Sequence, residues 1–259
     1  MHAFGIIGPD AEAVADSLVA ELDGRVAVVR NAAADGGLQS PRPATTYALD
    51  EDGWQATGQG GSLHETLDRL ATDHDYAIAI GFPEARLPQV CLGDATAEQT
   101  LAAAVDAAVV DYDEVIDAIE ALEPYETLES LVAQVKRSPR ADESGAIATF
   151  TGRVRAKEHP DDERTEFLEF EKYDGVAEKR LAKIEAELED REGVLDVTMH
   201  HRVGVIPDGE DIVFVVVLAA HRTEAFRAVE DGINRLKDEV PIFKKEVTET
   251  ETFWVHERD

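Results

Sequence analysis

Residues 211–220, DIVFVVVLAA, form the most apolar run in the chain. The run is too short to span a membrane and too uniformly apolar to leave one face in water. It therefore predicts a central strand that must be covered on both faces. The segments around it supply the cover. TEAFRAVEDGINRLK follows it, with Phe226, Val229, Ile233 and Leu236 on one helical stripe. GAIATFTGRVR (145–155), TEFLEFEKY (165–173) and VLDVTMHHRVG read as further strands, and residues 175–190 as a charged helix with Leu181, Ile184 and Leu188 on one face. The tail, PIFKKEVTETETFWVHERD, reads as short strands or extended chain. The second half is thus α+β.

The first half alternates strands and helices. FGIIG and RVAVVRN read as strands, with the helix EAVADSLVAEL between them. TTYALD and GWQATG read as a hairpin around Asp50–Gly53. SLHETLDRL carries Ser62 with Glu65 three residues on, a capping box. YAIAIGF suits a strand covered on both faces, and PQVCLG is a shorter one. These features predict an α/β domain over 1–95. Two Ala-rich helical segments, 97–109 and 112–122, then form a helical linker over 96–123. ETLESLVAQVK (126–136) is an amphipathic helix that opens a second domain over 124–259. Composition changes at the same place: all eight lysines lie at Lys136 or later.

The formal net charge is −30, from 55 acidic and 25 basic residues. The carboxylates are spread along the whole chain, which reads as a salt-adapted, halophilic surface. Such a charge opposes nucleic acid and anionic membranes as partners. The one cysteine, Cys91, excludes an internal disulfide and a Cys-rich metal site. No secretory signal is visible in MHAFGIIGPD, so a cytoplasmic protein is expected.

FGIIGPDAEAVADSL opens like a phosphate-binding strand, loop and helix, but the lysine and hydroxyl of such a loop are missing. Gly-Pro-Asp-Ala-Glu stands in their place, and Asp10 and Glu12 would repel phosphate at the helix start. This is a degenerate P-loop, unsuited to NTP hydrolysis. The strand–Gly–helix start and YAIAIGF loosely resemble the MobB-type GTP-binding adaptor of molybdenum-cofactor guanylation, with Ile80 where such adaptors carry Glu.

Basic clusters stand out in the second half: GRVR (152–155), HHR (200–202), AHR (220–222) and LKDEVPIFKKE (236–246). The last holds Lys237, Lys244 and Lys245 in a chain that otherwise avoids lysine. A helix C-terminus explains Lys237 but not the two lysines after Pro241. Gathered cations bind an anionic substrate, phosphate first, and His221 is a proton-shuttle candidate. No nucleophile elbow and no HExxH motif are present. Electrostatics alone points to an anion-handling enzyme that uses lysine.

GAIATFTGRVR, LEFEKYDGVAEKRL, HHRVGVIPDGEDIVFVVVLAAHRTEAF and LKDEVPIFKKE with FWVHERD, in this order, resemble the large, catalytic subunit of molybdopterin synthase (MoaE family) over about 124–259. The resemblance implies an α/β hammerhead-like fold. It implies a partner, a small ubiquitin-like sulfur carrier with a C-terminal Gly-Gly thiocarboxylate, and a substrate, cyclic pyranopterin monophosphate. Two sulfurs would pass to it, giving the molybdopterin dithiolene, with no permanently bound cofactor and no metal. It also implies a homodimer within a heterotetramer. Carried onto this sequence, Lys237 and Lys244 match the catalytic lysines, Lys237 at the thiocarboxylate and Lys244 at the pterin. Arg155 and the pair His221–Arg222 match substrate-binding positions, the pair acting across the dimer interface. Arg153, Lys245 and Glu246 flank these, and His200, His201 and Arg202 read as structural. The alternative reading is a non-catalytic nucleotide-binding or scaffolding adaptor in which the N-terminal domain does the work.

Overall fold

A computed structural model describes residues 1–32, 45–157, 159–173 and 175–248, and the backbone of 252–255. Its strands and helices fall into two units, Met1–Glu126 and Thr127–Asp259.

In the first unit, β1 (His2–Ile7), β2 (Val26–Arg30), β5 (Tyr76–Ile80), β6 (Gln89–Leu92) and β7 (Thr100–Ala104) form one sheet in the order β2-β5-β1-β6-β7. All its pairings are parallel. Parallel strands need cover on both faces. α1 (Ala11–Glu21) and α3 (Tyr112–Glu120) bury Val14, Leu18, Val115 and Ile119 on one face, and α2 (Leu63–Leu70) buries Leu67 on the other. β5 is buried throughout, as its uninterrupted apolar sequence requires. The Ser62–Glu65 capping box forms as expected. β3 (Thr45–Leu49) and β4 (Trp54–Gly58) make the expected hairpin, with both strands exposed throughout.

The segment expected to be a helical linker differs. Residues 100–104 are a strand, β7, in register with β6 from Gln89↔Thr100 to Leu92↔Ala104. Alanine favours a helix in isolation by only a few tenths of a kcal/mol per residue, and an unpaired edge of a parallel sheet outweighs that preference. Helix α3 packs onto the same core, so this segment completes the first unit.

The start of α1 is a tight turn. Only Gly8, Pro9 and Asp10 separate β1 from α1. Gly8 has φ 106°, and a Cβ there would lie 2.1 Å from the Leu92 carbonyl oxygen. The turn is closed against β6, and it is too short to curl backbone N–H groups around a phosphate.

In the second unit, β8 (Ala146–Arg153), β10 (Val194–His201) and β12 (Asp211–Ala219) form an antiparallel sheet in the order β10-β12-β8. β12 is central, as its composition requires. α5 (Val176–Glu189) and α6 (Arg222–Glu239) cover one face, and α4 (Leu128–Lys136) packs on β12 and β10 on the other. A second sheet, β11-β9-β13-β14, is built from β9 (Thr165–Lys172), β11 (Gly204–Pro207), β13 (Ile242–Thr248) and β14 (Thr252–Val255).

Phe226 departs from the expected stripe and is 66% exposed. The buried side of α6 is Ala225, Ala228, Val229, Gly232, Ile233 and Leu236. Small residues let α6 approach the sheet closely: a Cβ on Gly232 would lie 3.1 Å from Val215. The contact line therefore runs through Ala225, and Phe226 is rotated out of it.

Candidate functional site

The basic clusters sort to two ends of the second unit, and the chain path explains why. β12 carries the chain away from the Arg153 end of β8, since Asp211 pairs with Arg153 and Ala219 with Ala146. α6 then returns, so its C-terminus comes back to the Arg153 end. Lys237 lies in the last turn of α6, exposed. Val240 ends the helix, Pro241 stops it, and Ile242 starts β13. Ile242 packs against the cluster of Val154, Leu168, Phe170 and Ile206, together with Ile212. Val154, the buried residue between Arg153 and Arg155, belongs to the same cluster, and Ala156 just beyond it accepts from the Thr165 N–H, which stands opposite Thr248 at the far end of β13.

Within β13 the register fixes which cations share a face. Lys244 stands opposite Phe170 on β9, and directly opposed residues project to the same side. That side is the inner one, where Phe170 is buried with Leu168. Glu246, opposite Leu168, shares the face and accepts a hydrogen bond from the Thr165 hydroxyl. Lys245 projects the other way and donates to Glu169, directly across the strand pair, at 2.8 Å. Lys245 is thus committed to an ion pair on the outer face, apart from Lys244. Arg153 pairs with Asp211 at 3.1 Å and donates to the Gly209 carbonyl, while Arg155 is exposed.

His221 and Arg222 sit elsewhere. They are the N-cap and first residue of α6, both exposed, beside the Ala146 end of β8. Sixteen residues of helix separate His221 from Lys237, about 24 Å along the axis. Within one chain Lys237 and Lys244 lie on either side of the turn from α6 into β13, the segment of Arg153 and Arg155 runs by the other end of β13, and His221–Arg222 lies at the opposite end of α6 from Lys237.

Lys172, not singled out from the sequence, joins the inner face. It pairs with Ile242 in register, diagonal to Lys244, and its half-buried ammonium meets Glu178 of α5 at 2.7 Å. The available signal was period two: Lys172 continues Leu168 and Phe170. His200 and His201 are held neutral. Burial pushes His200 down to about 3, helped by Arg202, His201 and Lys172. Burial likewise pushes His201 down to about 4, against the hydrogen bond to the Arg202 carbonyl. His201 makes that bond through Nδ1 at 2.7 Å and sets its ring edge-on to Phe170. Both act as packing groups beside the site, as their sequence context suggests.

Among the described residues no group of three or more His, Cys, Asp or Glu is placed to hold a metal ion. No described helix is long and apolar enough to cross a membrane. Cys91, the single cysteine, is buried in the first unit at 2% exposure, so the second unit has no sulfur nucleophile of its own.

Residues 122–239 match the family model described as MoaE protein. A protein of Haloferax volcanii described as a probable molybdopterin synthase is 53% identical over 261 residues, covering 100% of both chains. The molybdopterin synthase catalytic subunit of Salmonella typhimurium is 42% identical over 118 residues, 46% of this chain and 77% of its own. A solved structure of molybdopterin synthase from Staphylococcus aureus is 34% identical, covers 52% of this chain and 94% of its own, and aligns with a TM-score of 0.46.

Proposed function

The chain belongs to the family of molybdopterin synthase catalytic subunits, and from that premise we propose how its residues carry out the reaction. It is a sulfurtransferase of molybdenum cofactor biosynthesis. Sulfur must arrive from outside the second unit, which has no cysteine. The donor is the C-terminal thiocarboxylate of a small ubiquitin-like partner, and the acceptor is cyclic pyranopterin monophosphate. The Lys237 ammonium, exposed on the last turn of α6, meets the incoming thiocarboxylate. Lys244, on the inner face of the second sheet, works at the pterin. Arg155 and Arg153 hold anionic groups of the substrate, as guanidinium forks do. Glu246 and Lys245 flank this set, Glu246 on the side of Lys244 and Lys245 outside it. His221 and Arg222 complete the site from a second copy, in a homodimer that carries one small partner at each end.

One observation carries this reading. Lys237 and Lys244 stand on either side of the turn from α6 into β13, in a chain of net charge −30. Three of the eight lysines of the chain fall within residues 237–245, and lysines concentrated in an otherwise acidic chain favour an anionic ligand. The test is formation of molybdopterin from the thiocarboxylated partner and the cyclic pterin. Lys237→Ala and Lys244→Ala should each lower the rate by two or more orders of magnitude, the range expected for loss of a group acting on the reacting atoms. Full activity in both variants overturns the assignment.

For the first unit we propose a scaffold that keeps the layer order of a nucleotide domain without its phosphate chemistry. The three-residue turn at Gly8 and the Glu12–Arg30 ion pair on the first turn of α1 support this.

A further inference from the structure

We propose that Lys172 is a further substrate-binding residue of the sulfur-transfer site, and that Glu178 holds its ammonium until the phosphate of the pterin takes the carboxylate's place.

Three elements of the second unit meet at one point. Lys172 closes β9 and stands opposite Ile242, the first residue of β13. It therefore lies at the turn from α6 into β13 that Lys237 and Lys244 flank. On the inner face it is diagonal to Lys244, with Cα atoms about 7 Å apart. α5 reaches the same point. It runs antiparallel to α6, since Arg191 pairs with Asp231 at 2.6 Å and Glu187 with Arg235 at 2.5 Å. Arg180 and Lys183 in turn act on Glu239, in the last turn of α6. The first turn of α5, which carries Glu178, thus comes back to the end of α6.

The sequence of β9 marks Lys172 as unusual. Its inner face runs Leu168, Phe170, Lys172, so a lysine stands where the period calls for an apolar residue. The chain has only eight lysines to place.

The Lys172–Glu178 pair is lopsided. The lysine side chain is 13% exposed and the glutamate 49%. The ammonium is fixed at the strand end, whereas the carboxylate can swing into water. An ammonium this far from water needs an anion beside it. His200 and His201 of β10 are close enough to feel the Lys172 charge, but both are neutral and supply none. A phosphate offers the same ammonium the charge and the acceptor oxygens that the carboxylate offers. Glu178 therefore keeps the cation satisfied in the free chain, and the substrate replaces it. This assignment rests on the sulfur-transfer reading of the site.

The experiment measures initial rates of molybdopterin formation by the full chain in molar KCl, with saturating thiocarboxylated partner and varied cyclic pterin. At that ionic strength the Debye length is about 3 Å, so the response comes from groups in contact with the substrate. Lys172→Met keeps the apolar stem and should raise KM for the pterin at least about tenfold, with a smaller fall in kcat. Lys172→Arg should restore most of that loss. Glu178→Gln should lower KM about two- to fivefold, since the phosphate no longer competes with a carboxylate. In the Lys172→Met background, Glu178→Gln should leave KM unchanged. A bridge that only fastens α5 to β9 predicts the reverse pattern, because both single variants break the same bridge and so act alike. In an active wild-type chain, KM shifts of one sign in both variants, or no shift in either, overturn the assignment. If Lys172→Met fails to fold, Glu178→Gln decides: a lowered KM upholds the exchange, and an unchanged or raised KM overturns it. An inactive wild-type chain refutes sulfur transfer itself and takes this assignment with it.

Discussion

Glu185 offers a stringent test of the packing around β10. Its carboxylate accepts from the Met199 N–H at 2.7 Å, yet burial raises it from 4.5 to about 7, and the nearby Glu189 and Asp196 charges add to the rise. The folded state therefore binds this proton more tightly than the unfolded chain does. The stabilisation is fully present below pH 4.5 and is lost as pH rises through about 7. The rise corresponds to roughly 3 kcal/mol at pH 8. Glu185→Gln keeps an oxygen acceptor for Met199 and removes the charge. It should stabilise the second unit by up to about 3 kcal/mol at pH 8 and by close to nothing near pH 4.5. The assay is urea unfolding in molar KCl, with hydrogen exchange of β10 peptides locating the change. The readout is the variant-minus-wild-type difference at each pH, because the many other carboxylates and the buried histidines also titrate. An equal effect at both pH values, or a loss of stability at pH 8, would refute the reasoning.

His200 and His201 oppose Glu185. Both are depressed below 6.5, so the stability tied to their neutral forms is complete above pH 6.5 and falls as pH drops toward about 4; His201→Gln should flatten that acid limb in the same unfolding series. Lys245→Ala should change molybdopterin formation by no more than a few-fold, since an outer-face pair with Glu169 is worth about 1 kcal/mol or less, whereas a loss matching that of Lys244→Ala would place Lys245 in the site. Gly8→Ala meets both the left-handed backbone and the Leu92 carbonyl, and should destabilise the first unit by on the order of 2–4 kcal/mol in thermal unfolding. Calorimetric titration of the full chain with GTP should give no saturable heat, because the Gly8 turn cannot cradle a phosphate; measurable binding would restore the nucleotide reading.

Period and composition alone determined much of this protein. The uninterrupted run 211–220 could only be a central strand, YAIAIGF only a strand buried on both faces, and Ser62 with Glu65 only a helix start. Each depends on neighbours a few residues away, so each is written locally. The lysine cluster was legible for a related reason: a local concentration of lysine in a lysine-poor chain shows in the sequence whatever the fold. Three outcomes were not legible. Ala-rich 97–109 carries a helix preference, but its middle became β7 because a vacant sheet edge was in reach. Phe226 fits a helical stripe, but Gly232 and the alanines decided which side of α6 touches the sheet. GRVR, AHR and LKDEVPIFKKE look alike as basic clusters, yet only the turn from β12 into α6 sends AHR to one end and the other two to the opposite end. Those choices depend on pairings between residues distant in sequence, whose energies exceed local preferences and exist only once the chain has folded.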